Sequence, residues 1–368
     1  MNKKVTILLV LALSLRLGLA YFQFSGDVKN HLVWAHSLLE SGPAGFYDRH
    51  FPGFNDANYP PIAIYLFGFS IFLYQIVFSF FSYLNVHLGV FPSFLVPLFA
   101  TENMQTAFLK LPAILADIGI GYLIFKITKN KLFAILYLFN PAVFYVSAVW
   151  GQIESLPIFF LILSYSLLPR RYYLSHLAFI LAVLSKQTAL WLLPIFLIIW
   201  WKQGSLKLLL QGLTLQAVFF FALYLPFALP PAAIASYLAT LSGSSTLIAD
   251  KAGNLWYWLF AGARVEDSLP FLGLTIRLWS LVLLTLSFLF ICFRLWRRYS
   301  REAAANSLFW FSLVAFFLQT RVHDRHLAPA LPFLLLTSYA PKPKLVFYIA
   351  LSVYHMINLY LALGLPLI

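Results

Sequence analysis

The sequence predicts an all-α fold, a polytopic bundle of transmembrane helices, and three observations predict it. Of 368 residues, 62% are hydrophobic and only 10% charged, whereas a soluble domain carries about a quarter charged residues. Runs such as Val5–Phe22, Ile62–Phe81 and Leu206–Leu229 can cross a hydrocarbon core of about 30 Å as helices. Backbone groups in lipid must bond internally, and the alternation that a β-barrel requires is absent, so the spans read as helical.

The first run is interrupted by Arg16 and has no small-residue cleavage site ahead of "FSGD". It reads as a retained first span rather than a signal peptide. A net charge of +13 would suggest nucleic acid in a soluble protein, but here the basic residues suit cytoplasmic loops and anionic headgroups. No nucleic-acid partner is expected. Cys292 is the single cysteine, which excludes a disulfide framework and a cysteine metal cluster.

Lys and Arg in short loops favour the cytoplasm, so they orient the spans. Lys3–Lys4, Lys126–Lys131, Arg170–Arg171, Trp201–Lys207, Arg294–Arg301 and Pro341–Lys344 are placed inside. Residues 23–59, the turns near Trp150–Glu154 and Ser185–Thr188, a long loop of about 230–270 and the turn near Arg321–His326 then fall outside. Residues 83–105 must supply an odd crossing if 107–126 runs inward. "FPSFLVPLF" is short and broken by Pro92 and Pro97, so a kinked or partial span is expected, giving about 11–13 spans in one domain over residues 1–368.

The first outer loop is expected to be partly helical. Val28, Leu32, Ala35 and Leu39 fall at helical spacing, and Gly42–Pro43 ends the pattern, so a short amphipathic helix would lie in the interface. Asp27 stands at its start, where a carboxylate caps free amides and meets the positive end of the helix dipole. That structural use and a functional one are both open. Asp117, within a span, reads as a structural partner of Lys110 or Arg16 rather than a proton relay.

Under this topology "SGDVKNH", "ANYPP", "WGQIES", "SKQT", "ADKAGNLW" and "TRVHDRHLAP" all lie at outer ends of spans. An ionisable residue within hydrocarbon costs about 2.5–3.5 kcal/mol even on the gentler scale, so such residues face a cavity or a partner. On a helix, Arg321 and Arg325 would share one face and His323 and His326 another. Paired guanidiniums suit a phosphate, to which planar forks donate two bonds each. Lys186 either snorkels to the headgroups or reaches a phosphate oxygen beside Gln187. Trp150, Gln152 and Glu154 combine a flat apolar ring with an amide and a carboxylate, which suits a sugar, though an interfacial tryptophan belt has the same look. "NYPP" reads as a helix start fixed by Pro60 and Pro61. His323, Asp324 and His326 have donor types for a divalent ion, but Arg321 and Arg325 would repel it, so neither metal nor cofactor is expected. Gly-rich phosphate loops, GxSxG elbows and HExxH helices are absent.

Taken in order, Asp27, "NYPP", "LKLPAILADIGIGYLIF", "NPAVFYVSAVWGQIES", "SKQTALWLLPIF", "NLWYWLF" and "VHDRHLAPALPFL" give a chain that resembles the GT-C superfamily of integral-membrane glycosyltransferases. The bacterial and archaeal mannosyltransferase-like members look most similar, and the ER glucosyltransferases that use dolichyl phosphate carriers are more distantly alike. The chain departs from the family pattern at Asp324, where Glu is usual, at His326, often aromatic, and at Glu154, commonly Asp.

The resemblance implies a multi-pass plasma-membrane protein of a prokaryote with its active site facing outside. It implies transfer of a hexose, mannose or glucose, from a polyprenyl phosphate carrier to a lipid-linked glycan, lipid or protein acceptor, with inversion. By resemblance Asp27 is the catalytic base. Lys186, Arg321, His323 and Arg325 are then candidates for the donor phosphate. Lys29, His31, Trp150, Gln152, Glu154, Gln187, Asp324 and His326 are candidates for sugar or acceptor. The competing class is a transporter or flippase that carries the same lipid without transfer.

Overall fold

The computed structural model describes residues 3–22, 26–241 and 245–363. Residues 23–25 of the first outer loop, 242–244 of the long loop and the extreme ends of the 1–368 domain lie outside the described residues.

Among the described residues the fold is nearly all helix, with one two-stranded hairpin. Helix α1 is Lys3–Ala20 and α2 Gly26–Ser41. Gly42, at φ 68°, ends α2 with its amide on Leu38 O, as a glycine free to turn left-handed does. The inner face of α2 differs from the simple apolar stripe. Leu39 is exposed, while Asn30 and His31 are buried beside Val28, Trp34 and Ala35. Asn30 Oδ1 accepts from Asn55 N at 3.0 Å and Trp34 Nε1 donates to Asn55 O at 2.8 Å, while His31 is held by packing against aromatic rings. These bonds clasp the return strand of the loop against α2.

Pro61 opens α3 (Pro61–His87), its missing amide hydrogen costing nothing at a first-turn position. The segment expected to hold a partial span contains only α4 (Leu95–Phe99). Five residues rise about 7.5 Å, far short of a hydrocarbon core. Among the described residues no helix between α3 and α5 (Glu102–Thr128) is long enough to cross a membrane. Thr101 caps α5, accepting from Met104 N. Arg16 Nε meets Asp117 at 3.0 Å, and Asp117 also accepts from Tyr137, Ser147 and Ser155 hydroxyls, so this buried acid is fully occupied in joining helices. Lys110 Nζ donates to Ala20 O and Phe22 O, closing the end of α1.

Asn130 caps α6 (Lys131–Leu138) and Asn140 caps α7 (Pro141–Phe144), which continues as a π-helical turn through Trp150. The two segments bend by 46°. Helices α8 (Ser155–Leu167) and α9 (Tyr172–Ser185) pack as a hairpin. A 3₁₀ turn, Gln187–Leu192, leads into α10 (Leu193–Gln203). Then come α11 (Leu206–Tyr224), α12 (Pro230–Leu241), α13 (Leu255–Leu259) and the hairpin β1 (Pro270–Phe271) with β2 (Leu274–Thr275). The chain closes through α14 (Ile276–Arg297), α15 (Arg301–Leu318), a 3₁₀ turn at Asp324–Leu327, α16 (Ala330–Leu336) and α17 (Pro341–Leu363).

Among the described residues four helices, α3, α5, α11 and α14, are long and apolar enough to cross a membrane, and the bent pair through Trp150 makes up to five. The protein is therefore a membrane protein, though this count is below the 11–13 spans expected. Helices α8, α9 and α10 have 13, 14 and 11 residues and rise only about 16–21 Å. The polar junctions around Glu154, Lys186 and Arg325 cut the apolar runs there. The largest apolar core lies between α5, α8, α9, α10, α15 and α16, and its upper edge carries the candidate site.

Candidate functional site

The π-helical turn ends at Gly151, φ 87°. A Cβ there would lie 3.0 Å from Val28 Cγ2 and 3.2 Å from Lys110 Cε, so both the backbone and the close approach of α2 demand glycine. This turn aims Gln152 at the start of α2. Gln152 Nε2 donates to Asp27 Oδ2 at 2.5 Å, while Tyr59 O–H donates to Gln152 Oε1 at 3.2 Å. Tyr59 occupies the amide oxygen, so the amide presents its N–H to Asp27. The carboxylate is oriented by a buried neutral group.

Beside it, three charged side chains meet. Lys186 Nζ is 2.5 Å from Glu154 Oε1, and Arg325 Nε is 3.1 Å from the same oxygen. Lys186 and Glu154 are 3% and 5% exposed, deep enough that each would be costly alone. Arg325 lies over the Trp150 ring at 5.2 Å and Lys186 over Tyr59 at 5.1 Å, a favourable setting for cations short of water. Asp27 is within electrostatic reach of Arg325. Glu154 Oε2, Asp324 Oδ2 and Trp150 Nε1 are buried without hydrogen-bond partners. Such atoms are rare in native proteins and call for a ligand or ordered water.

Burial, with Lys186 and Arg325 nearby, lowers the His31 pKa to about 3. His323 falls to about 3 through burial and the charges of Arg325, Lys186 and Lys251, and His326 is pushed well down by burial. These imidazoles are neutral at physiological pH, so the 3.4 Å contact of His323 Nδ1 with Asp250 is not an ion pair there. Burial raises Asp324 to about 7, against the opposing pull of Arg325.

The geometry sorts the remaining expected residues. His31 stacks on Phe67 at 4.3 Å and faces Trp34 and Tyr59, a packed wall rather than an open reactive group. Lys29 is half-exposed, 3.5 Å from Glu102. Gln187 is half-buried at the first position of its 3₁₀ turn. His326 meets Trp191 edge to face at 5.5 Å. Helical sharing of a face by Arg321 and Arg325 does not occur, because Arg321 takes φ 62° and the 3₁₀ turn begins only at Asp324. Arg321 forks onto Asp267 instead, at 2.7 and 3.1 Å, which offsets the strain of a left-handed non-glycine residue. It anchors the long outer loop.

No signal in the sequence marks Asp267, and Tyr59 and Asp250 are marked there only as members of the polar stretches "ANYPP" and "ADKAGNLW". Tyr59 is the group that the proline-fixed helix start delivers to Gln152. Among the described residues no three His, Cys, Asp or Glu side chains are placed to hold a metal ion. A narrow cleft of about 30 Å³ lies between Glu154, Trp191 and His326 and apolar walls formed by Ile158, Leu161 and Phe311. No known protein family matches the chain, and no curated protein matches its sequence.

Proposed function

We propose that the protein is an inverting GT-C-type glycosyltransferase, moving a hexose from a polyprenyl phosphate carrier to an acceptor hydroxyl on the outer membrane face. One observation carries this reading: an oriented carboxylate, Asp27, stands within electrostatic reach of Arg325, and Arg325 and Lys186 share Glu154, which also lines an apolar cleft.

The chemistry follows from that arrangement. In this reading the lipid tail runs along Ile158, Leu161 and Phe311, and its phosphate stands beside Glu154, where Lys186 and Arg325 pair. Asp27 accepts the proton of the acceptor hydroxyl as its oxygen attacks the anomeric carbon. The bond from that carbon to the phosphate oxygen breaks, and its electron pair leaves with the phosphate. Negative charge grows where Lys186 and Arg325 already stand, in a site where water is sparse. One displacement inverts the sugar. Glu154 Oε2, Asp324 Oδ2 and Trp150 Nε1 supply partners for sugar hydroxyls. Gln152 positions the base rather than the sugar.

The finer topology belongs to the same proposal. With basic ends inside, α1, α5, the bent α6–α7 pair, α8, α9, the 3₁₀–α10 unit, α11, α14, α15, the 3₁₀–α16 unit and α17 alternate in direction, about eleven passes. Helix α3 is not among them. Both Pro61 and Glu102 must start at the outer face, and Tyr74 O–H donates to Phe99 O at 2.9 Å, bringing the chain back beside the middle of α3. Its buried residues all fall between Pro61 and Tyr74, on one face, with Phe69 and Phe72 exposed there, while Ile76, Phe80, Tyr83 and Val86 are bare. It lies along the outer leaflet.

The direct test incubates purified protein with polyprenyl-phosphate mannose or glucose and an acceptor extract. Release of free polyprenyl phosphate that depends on the acceptor supports transfer. Movement of intact donor between leaflets without release supports the transporter.

A further inference from the structure

A second cavity, about 180 Å³, is lined by residues between 247 and 264 and by Tyr354, Ile357 and Asn358 of α17, and Asn358 Nδ2 donates to Asp324 O of the Asp324–Leu327 turn. Its walls are Tyr257, Trp258 and Tyr354, and Lys251 and Arg264 border it. Both cations are exposed, and neither has an ion-pair partner among the described residues. Asp250, the acidic residue of the lining, is 3.4 Å from the His323 ring. The cavity therefore has aromatic walls, two cations against the single carboxylate of Asp250 on its rim, and a side chain contact through Asp250 and His323 to the turn that carries Asp324 and Arg325. Ile357 and Trp258 on its rim are 53% and 59% exposed.

We infer that this cavity is the acceptor subsite, and that the acceptor is a saccharide head carrying a phosphate. Aromatic rings take the apolar faces of a sugar, and a guanidinium with an ammonium takes the phosphate. The inference rests on the transferase reading for the ligand's role as acceptor. Lys186 and Arg325 serve the donor phosphate and Lys251 and Arg264 the acceptor phosphate. The two anions are kept apart by the Asp324–Leu327 turn.

The test follows tryptophan fluorescence of the full chain in phosphatidylcholine nanodiscs titrated with mannose 6-phosphate, methyl mannoside and inorganic phosphate. Mannose 6-phosphate should bind best, and Lys251→Ala with Arg264→Ala, or Trp258→Ala alone, should weaken it by about ten-fold or more. Because Trp258 is itself a reporter, that variant is read by competition against radiolabelled mannose 6-phosphate. Lys186→Ala should leave this binding unchanged. Competition by phosphatidylglycerol added to the nanodiscs would assign the head to a lipid, and its failure to compete would assign it to a soluble glycan. Equal binding of methyl mannoside, retention of binding in the double variant, or loss in Lys186→Ala would overturn the inference. Acceptor-independent occupancy of the donor site by polyprenyl phosphate is measured separately, so failure here is distinguishable from failure of the transferase reading.

Discussion

Lys186 Nζ lies 2.5 Å from Glu154 Oε1, the oxygen that Arg325 also approaches. Both buried cations share this carboxylate, and Arg325 has a longer second contact with Asp324 Oδ1 at 3.6 Å. A donor phosphate would add further negative charge between them. Glu154→Gln should cost about 3–5 kcal/mol of stability, because buried Lys186 loses its counter-charge and Arg325 the nearer of its two. Polyprenyl phosphate should then raise the variant's Tm more than that of the wild type. Equal shifts in the two proteins would show that the phosphate does not sit between these cations.

The two arginines of the outer turn should separate. Arg325→Ala should weaken polyprenyl phosphate binding by about 10–100-fold, the worth of a charge-assisted hydrogen bond. Arg321→Ala should leave that affinity unchanged and lower thermal stability, since Asp267 is buried and loses its partner. Equal losses of affinity in both variants would contradict the assignment of Arg321 to the loop.

Asp324 gives a pH signature. Its folded pKa, about 7 through burial, is above the ordinary carboxylate value, so between about pH 4 and 7 the folded state holds a proton that the unfolded state has released. This group therefore favours folding as pH falls from 7 towards 4 and opposes it as pH rises through 7. Asp324→Asn should flatten the fall in Tm across that window. An unchanged slope in the variant would place the titration elsewhere.

Helix α3 makes a topological prediction. In a Cys292→Ser background, a cysteine at His87 should react with a membrane-impermeant maleimide applied to intact cells, whereas one at Lys129 should react only after permeabilisation. Labelling of the His87 position only from inside would make α3 a crossing.

Much of this arrangement was legible in the sequence. Polar groups scattered at Asp27, Gln152, Glu154, Lys186 and Arg325 were expected on one face, and the charge rule that ordered them is local and strong. Their partners were less visible. Nothing in "WGQIES" says that Gln152 turns to Asp27, because that aim comes from the π-helical turn and Gly151. Helical spacing misplaced Arg321, since Asp267, more than fifty residues away in the chain, draws it into a left-handed backbone. The proline-broken segment after α3 reads as irregular from its sequence, but the bond from Tyr74 to Phe99 O that folds it back beside α3 is not encoded in local pattern.

The central claim is that Asp27, oriented by Gln152, removes the acceptor proton. Its most direct test is the transfer rate of Asp27→Asn from polyprenyl-phosphate sugar, measured beside its affinity for polyprenyl phosphate. The account predicts that transfer falls by about 10²–10⁴-fold while the lipid is still bound. Transfer near the wild-type rate, with the lipid bound equally well, would contradict it.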